Sequence, residues 1–243
     1  MIMGVVPLST IDWPGRVSAV VFFAGCNLRC PWCQNPDCVT GTGRTGPHEA
    51  LSVIERSIPI IDSVVLSGGE PTLYPDGCLE ILRFARDRGI AGAMETNGTR
   101  PEELSKILSL LDFVAVDVKA PLSDARLYSM AAGVPVDTAR IAESLRIVSA
   151  SGVELEPRVT VVPGLNDSEH VIREISRNLT ELGISKMRLT QFRNERTLDP
   201  SFQKLLPPSR ERMIELAGVA AEEGIEVRVF TAERGLEVIR GNG

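Results

Sequence analysis

The chain has 243 residues, with 26 Lys and Arg against 32 Asp and Glu, for a formal net charge of −6. That balance gives no field for holding a phosphate backbone, and no basic run interleaves with aromatics, so nucleic acid is excluded as an expected partner. At 43% hydrophobic and 24% charged the composition is that of a globular protein, and no apolar run approaches the ~20 residues that span a bilayer, so no membrane partner is expected.

The five cysteines are an odd count, and no secretory leader precedes them. A disulfide framework is therefore not expected, and a reducing, cytoplasmic location fits. No internal repeat, low-complexity tract or linker marks a boundary. The expectation is one domain over 1–243, with a lead-in at 1–15, a core over about 16–231 and a short C-terminal tail.

The first apolar run, Ser18–Ala24, reads as a strand and leads into Cys26-Asn27-Leu28-Arg29-Cys30-Pro31-Trp32-Cys33. Three thiols on one tight loop, with no fourth at matching spacing, suit a [4Fe–4S] cubane that keeps one iron open. A structural zinc site is the alternative, though it normally closes with four ligands in two pairs. His48 and His170 lie far from the loop, Cys38 is a conceivable fourth ligand, and Cys78 falls inside a helical pattern. The stretch Gly41–Gly46 reads as a loop.

Further β-branched runs follow at Asp62–Ser67, Gly89–Thr96, Asp112–Lys119, Val153–Val162, Ser185–Phe192 and Ile225–Thr231. Between them lie helical stripes, such as Leu104, Ile107, Leu108 and Leu111 after Pro101. Another, Val171, Ile175, Leu179 and Leu182, follows the candidate caps Asn166, Asp167 and Ser168. Gly89, Gly152, Gly183 and Gly224 stand where helices should stop. Strand–helix alternation predicts an α/β fold of parallel strands. Six βα units plus a seventh short strand are too few for a closed eight-stranded barrel, so a partial (β/α)6 barrel open on one side is expected. Ligands should then gather at the carboxyl ends of the strands.

Those ends are polar. The second strand ends at Ser67-Gly68-Gly69-Glu70, where paired glycines allow close backbone approach to a ligand and Glu70 suits an ammonium; a plain Gly-Gly turn is the alternative. The third ends at Glu95-Thr96-Asn97-Gly98, also readable as an Asn-Gly turn. The fourth delivers Asp117 and Lys119 to one face, as ligand groups or as a structural ion pair. The fifth carries Arg158, and the sixth ends at Thr190-Gln191-Phe192-Arg193.

At this point the chain resembles the radical S-adenosylmethionine (SAM) superfamily, on its cysteine triplet with Trp32 and on Gly68-Gly69-Glu70. More narrowly it is similar to the glycyl-radical-enzyme activating group. That likeness rests on Asp12-Trp13-Pro14-Gly15-Arg16, Gly25-Cys26, Gln34-Asn35-Pro36, Glu95–Gly98, Asp117-Val118-Lys119 and Arg158–Gly164. Within the group it looks most like the activating proteins of anaerobic ribonucleoside-triphosphate reductases, with pyruvate formate-lyase activases a close second.

The resemblance implies a [4Fe–4S] cluster on Cys26, Cys30 and Cys33, its fourth iron chelated by SAM. It further implies that Gly68, Gly69 and Glu70 receive the SAM amino group. Thr96, Lys119 and Arg158 would orient its carboxylate and ribose, with Asn97 and Asp117 beside them and Lys119 acting alongside the cysteines in catalysis. Glu95, Thr96 and Asp117 are the implied holders of a monovalent cation, although Glu95 stands where Asp is usual. The implied reaction is reductive cleavage of SAM and hydrogen abstraction from a glycine of a partner glycyl radical enzyme, here anaerobic ribonucleotide reductase. A low-potential donor such as flavodoxin or ferredoxin would supply the electron in an anaerobic host. Gln34 and Arg193 replace histidines expected of the formate-lyase type, and Arg193–Pro208 is a candidate lining for the entrance. The other readings are a small-molecule radical SAM enzyme and a non-catalytic module stabilised by zinc.

Overall fold

In the computed structural model, which describes residues 1–239, nine strands form one sheet in sequential order. They are β1 (Ile2–Ser9), β2 (Ser18–Phe23), β3 (Ser63–Gly68), β4 (Ala91–Thr96), β5 (Phe113–Asp117), β6 (Glu154–Val161), β7 (Lys186–Gln191), β8 (Glu226–Thr231) and β9 (Gly235–Ile239). Strands β2 to β8 run parallel, while β1 and β9 pair antiparallel at the two edges. The crossovers carry helices α1 (Pro36–Thr40), α2 (Pro47–Ser57), α3 (Pro75–Asp87), α4 (Pro101–Ile107), α5 (Ala125–Ala132), α6 (Thr138–Ser151), α7 (Glu169–Glu181) and α8 (Arg210–Ala221).

Strand–helix alternation thus gives the expected mostly parallel α/β partial barrel, with corrections at both ends. Within the lead-in, residues 2–9 form β1, and Ile2 is fully buried. Pro7 breaks the strand pattern in sequence but is tolerated on an edge, where one row of backbone donors has no partner to lose. At the other end β9 extends the sheet past the expected core, and residues 240–243 of the expected tail lie outside the described residues.

Helix ends follow local chemistry. The Ser168 hydroxyl accepts from Val171 N and caps α7, whereas Asn166, also a candidate cap, does other work. Its side chain accepts from Val162 N and donates to Lys119 O and Thr160 O, both at 2.9 Å, pinning the exits of β5 and β6 together. Gly152 and Gly183 sit at positive φ where α6 and α7 stop, as their positions predict.

Alternation along the strands splits the sheet into two faces. One, with Ala19, Val21, Leu66, Met94, Val116 and Leu189, packs beneath the helices. The other holds a small apolar cluster of Trp13, Val20, Val65, Ala93, Phe113 and Ala115. Two residues along the same strands from Ala93 and Ala115 stand Glu95 and Asp117. The helix-free face therefore turns from apolar to charged toward the strands' carboxyl ends.

Candidate functional site

Two adjoining cavities open at those strand ends. The first, about 790 Å³, is lined by Cys26, Cys30 and Cys33, by Trp32, Gly68 and Gly69, and by Thr96, Asn97, Asp117 and Lys119. The second, about 900 Å³, is lined by Ile11, Asp12, Arg158, Arg188, Thr190, Arg193 and Phe230 among others, and shares Gln34, Glu95, Asp117 and Thr160 with the first.

Burial raises all three loop thiols, Cys26 and Cys30 to about 11, while Lys119 pulls each of them down. Leu28 N lies 3.4 Å and Asn97 Nδ2 3.8 Å from Cys26 Sγ. Three sulfurs on one cavity wall, N–H groups aimed at one of them and a buried ammonium alongside fit an anionic iron–sulfur group, because ligating thiols bind as thiolates. Among the described residues no three His, Cys, Asp or Glu side chains close on a single metal ion; a cubane takes each thiolate at its own iron. The other two thiols stand apart. Cys78, within α3, donates to Pro71 O at 3.3 Å, and Cys38 is buried within α1, outside this cavity.

Gly68 and Gly69 earn their place through the protein's own backbone. Gly68 has φ +111°, and a Cβ there would collide with the backbone of Phe23; one at Gly69 would collide with the Gly25 carbonyl. Gly69 N also donates to Phe23 O, and Glu70 N to Gly25 O, both at 2.9 Å. The pair seats the end of β3 against the cysteine loop, and both glycines still line the cavity.

Glu70 requires a correction. Its side chain is fully buried and lies behind the rim instead of facing the cavity. One oxygen accepts from Thr72 N, Thr72 Oγ1 and Thr96 Oγ1, the other from Asn97 N. With both oxygens so engaged, Glu70 joins the β3 and β4 exits and is not free to receive an ammonium. Burial pushes its pKa up against those four donors, which favour the charged form.

Asp117 and Lys119 do form an ion pair, at 3.1 Å, and both line the cavity, so the two readings of that pair coexist. Lys119 is buried, with its Nζ 5.1 Å from the Trp32 ring centre. Burial acts to lower its pKa, but Asp117 and Cys30 hold it raised. The fully buried Tyr128 hydroxyl accepts from Lys119 N and donates to Asp117 O, fixing the backbone between them. Nothing in the spacing of Tyr128 or Asn166 marks either as part of the site; only the fold brings them there.

Arg158 stands in the second cavity, not the first. Its guanidinium is engaged on three sides: by Glu95, by Glu156 at 2.8 Å and by the Asp12 carbonyl at 2.8 Å. Glu95 also accepts from Ser67 at 2.6 Å. At the cation site expected on Glu95, Thr96 and Asp117, Glu95 pairs with Arg158 and Asp117 with Lys119. The entrance segment is likewise tied down. Gln34 Nε2 donates to Arg193 O at 2.7 Å, Asp199 N to Pro31 O at 2.8 Å, and Arg196 pairs with Asp37.

The model of the radical SAM superfamily matches residues 20–175. The chain belongs to the radical SAM superfamily. It is 32% identical over 224 residues to a protein of Methanocaldococcus jannaschii named as a glycyl-radical enzyme activating enzyme, covering 90% of this chain and 91% of that one. It is 30% identical to the pyruvate formate-lyase-activating enzyme of Clostridium pasteurianum, over 79% of this chain and 83% of the relative. These likenesses put it, within the superfamily, among the glycyl-radical-enzyme activating enzymes. The crystal structure of a radical SAM methyltransferase from Sphaerobacter thermophilus shares the fold, with TM-score 0.72 and 20% identity over 91% of this chain and 67% of that one. Membership implies a [4Fe–4S] cluster and SAM, which the thiol-lined cavity fits. No helix among the described residues is long and apolar enough to cross a membrane.

Proposed function

We propose that this radical SAM protein cleaves SAM reductively and installs a glycyl radical on a partner enzyme, with Cys26, Cys30 and Cys33 holding the cluster. The observation that carries this reading is the first cavity itself, where those thiols face Gly68, Gly69, Thr96, Asn97, Asp117 and Lys119 across one space. When bound, the cluster supplies one electron to the sulfonium of SAM.

The chain's own groups do the rest. The Asp117–Lys119 pair offers both charge signs to a zwitterionic amino acid, Lys119 for its carboxylate and Asp117, half-exposed, for its ammonium. Lys119 also offsets the negative charge gathering on the thiolates. Backbone at Gly68 and Gly69 borders the same ligand, and Asn97 bridges Cys26 to Asn27 through its side-chain amide. Glu70 and Tyr128 act by positioning, the first across the exits of β3 and β4, the second under Lys119.

For the partner we propose an anaerobic ribonucleoside-triphosphate reductase, supported by the motif resemblance of the sequence, with Gln34 and Arg193 standing where histidines are expected of the formate-lyase type. Pyruvate formate-lyase is the second reading, favoured by the likeness to the Clostridium pasteurianum activase. A flavodoxin or ferredoxin is the proposed donor, in the cytoplasm of an anaerobic host.

The test is anaerobic reconstitution with iron and sulfide, then dithionite and SAM, assaying 5′-deoxyadenosine. The reading requires product that disappears in each of Cys26→Ala, Cys30→Ala and Cys33→Ala, and persists in Cys38→Ala. A glycyl radical detected by electron paramagnetic resonance on one candidate partner and not the other decides between them. A colourless protein that makes no deoxyadenosine would end the activase reading.

A further inference from the structure

A row of arginines crosses the helix-free face at the second cavity. Parallel register sets Arg158 of β6 opposite Arg188 of β7, and Arg188 opposite Arg228 of β8. Like charges directly opposite one another on a sheet repel. The carboxylates within reach are shared out. Glu156 lies 2.8 Å from Arg158, 3.4 Å from Arg188 and 3.8 Å from Arg228. Glu95 pairs with Arg158, and Glu226 lies 3.7 Å from Arg228.

Of the two members without a hydrogen-bonded carboxylate, Arg188 is the more buried. Its side chain is 9% exposed, and it lines the cavity. Its Nε donates a 3.3 Å bond to Thr190 Oγ1, while its Nη1, sealed from solvent, lies 3.4 Å from Glu156 without forming a hydrogen bond. Burial first, and Arg158 second, bring its pKa down to about 10. Arg158, against its own burial, is raised by Glu95 and Glu156. A buried guanidinium whose one nearby carboxylate is shared with two other arginines, with a like charge beside it, has its charge only partly matched.

We propose that Arg188, with Thr190, is a binding subsite for a carboxylate carried by the peptide segment that gives up the hydrogen atom. This rests on the function proposed above. The anion's class follows from the walls. Asp12, Glu95 and Asp117 also line the cavity, which disfavours a doubly charged phosphate, whereas a single carboxylate matches the fork of one guanidinium. A peptide follows from the setting. Ile11, Phe230 and Ala232 give apolar wall, Ile11 being 60% exposed at the lead-in, and the shared residues Gln34, Glu95, Asp117 and Thr160 join this space to the thiol-lined cavity. The other source of a carboxylate is SAM itself.

The test titrates the reconstituted, SAM-loaded protein with two blocked peptides, N-acetyl-Gly-Glu-amide and N-acetyl-Gly-Gln-amide, reading binding by calorimetry. The acidic peptide should bind about tenfold or more tighter, the scale of one charge-assisted contact. R188Q should lose that preference, and R188K should keep part of it, with circular dichroism confirming that both fold. Equal binding of the two peptides by the wild type, or none, overturns the subsite, as does a preference that survives in R188Q. A loss of SAM affinity in R188Q, with no peptide preference in the wild type, would assign the carboxylate to SAM and overturn the peptide source. The titration involves no turnover. Its failure is thus separable from a failure to form 5′-deoxyadenosine, which concerns the activase reading alone.

Discussion

Lys119 is held more tightly than any other charged residue of the first cavity. Asp117 pairs with its Nζ, Trp32 lies under it, Tyr128 takes its backbone N–H and Asn166 donates to its carbonyl. A side chain so fixed loses little entropy when it meets a ligand carboxylate, so its removal should cost the full charge-assisted contact. Lys119→Ala should raise the SAM dissociation constant of the reconstituted protein about tenfold or more, at ~1.5–3 kcal/mol for such a contact, with iron content unchanged. Equilibrium binding checks it, and an unaltered constant removes Lys119 from the SAM site. Gly69 acts by another route. A methyl group there has nowhere to go but into the Gly25 carbonyl, and overpacking of this kind costs ~1–3 kcal/mol. Gly69→Ala should lower the melting temperature of the metal-free protein by roughly 2–10 °C, at ~2–4 °C per kcal/mol for a chain of this size. A melting curve superimposable on the wild type would mean that the glycine serves the ligand alone.

At the scale of elements, the cysteine loop and the segment after β7 behave as one unit. Gln34 and Pro31 of the loop, and Asp37 of α1 just after it, each hold a point between Arg193 and Asp199. Gln34→Ala removes the hydrogen bond from its Nε2 to Arg193 O, and should speed limited proteolysis within residues 193–204 several-fold while iron loading persists. Unchanged cutting would show that the other two links suffice. This union also explains what sequence makes legible. The seven parallel strands and the thiol loop follow from local periodicity and spacing, which is why Ser18–Ala24, Asp62–Ser67 and the later runs fall on β2 to β8. The edge strands were hidden for local reasons: Gly4 and Pro7 interrupt β1, and β9 is short and half-exposed, without a buried stripe. Within the site, proximity to a strand end was readable, but the direction of a side chain was not. Glu70 sits one position from Gly69 on the cavity wall and beside an interior network, and four hydrogen-bond donors drawn from two strand exits decide which it meets. Tyr128, Asn166 and Arg188 were illegible because each acts on a residue far from it in sequence.

For the whole molecule, the decisive piece is the lead-in, whose Asp12–Arg16 segment also carries part of the family likeness. Residues 10–17 cross from β1 onto the helix-free face of the sheet, where Trp13, 6% exposed, stacks on Phe113 with ring centres 5.3 Å apart. The neighbouring Asp12 carbonyl accepts from Arg158, and Ile11 and Asp12 wall the second cavity. One indole therefore closes the apolar end of the barrel interior and sets the segment that borders its charged end. Trp13→Ala should leave a void among Val20, Val65, Ala93 and Ala115, with a loss of ~3–5 kcal/mol for an aromatic truncated to alanine in a core. That corresponds to a fall of roughly 10 °C in melting temperature at ~2–4 °C per kcal/mol. Trp13→Phe keeps the stack on Phe113 and should recover most of it. The same pair of variants separates packing from site geometry. If the lead-in also positions Arg158, Trp13→Ala assayed well below its melting temperature should still form 5′-deoxyadenosine more slowly, and Trp13→Phe should not. Melting within 2 °C of the wild type would mean that the lead-in merely rests on the sheet. A full loss of stability with normal turnover would restrict Trp13 to the core and leave Arg158 held by Glu95 and Glu156 alone.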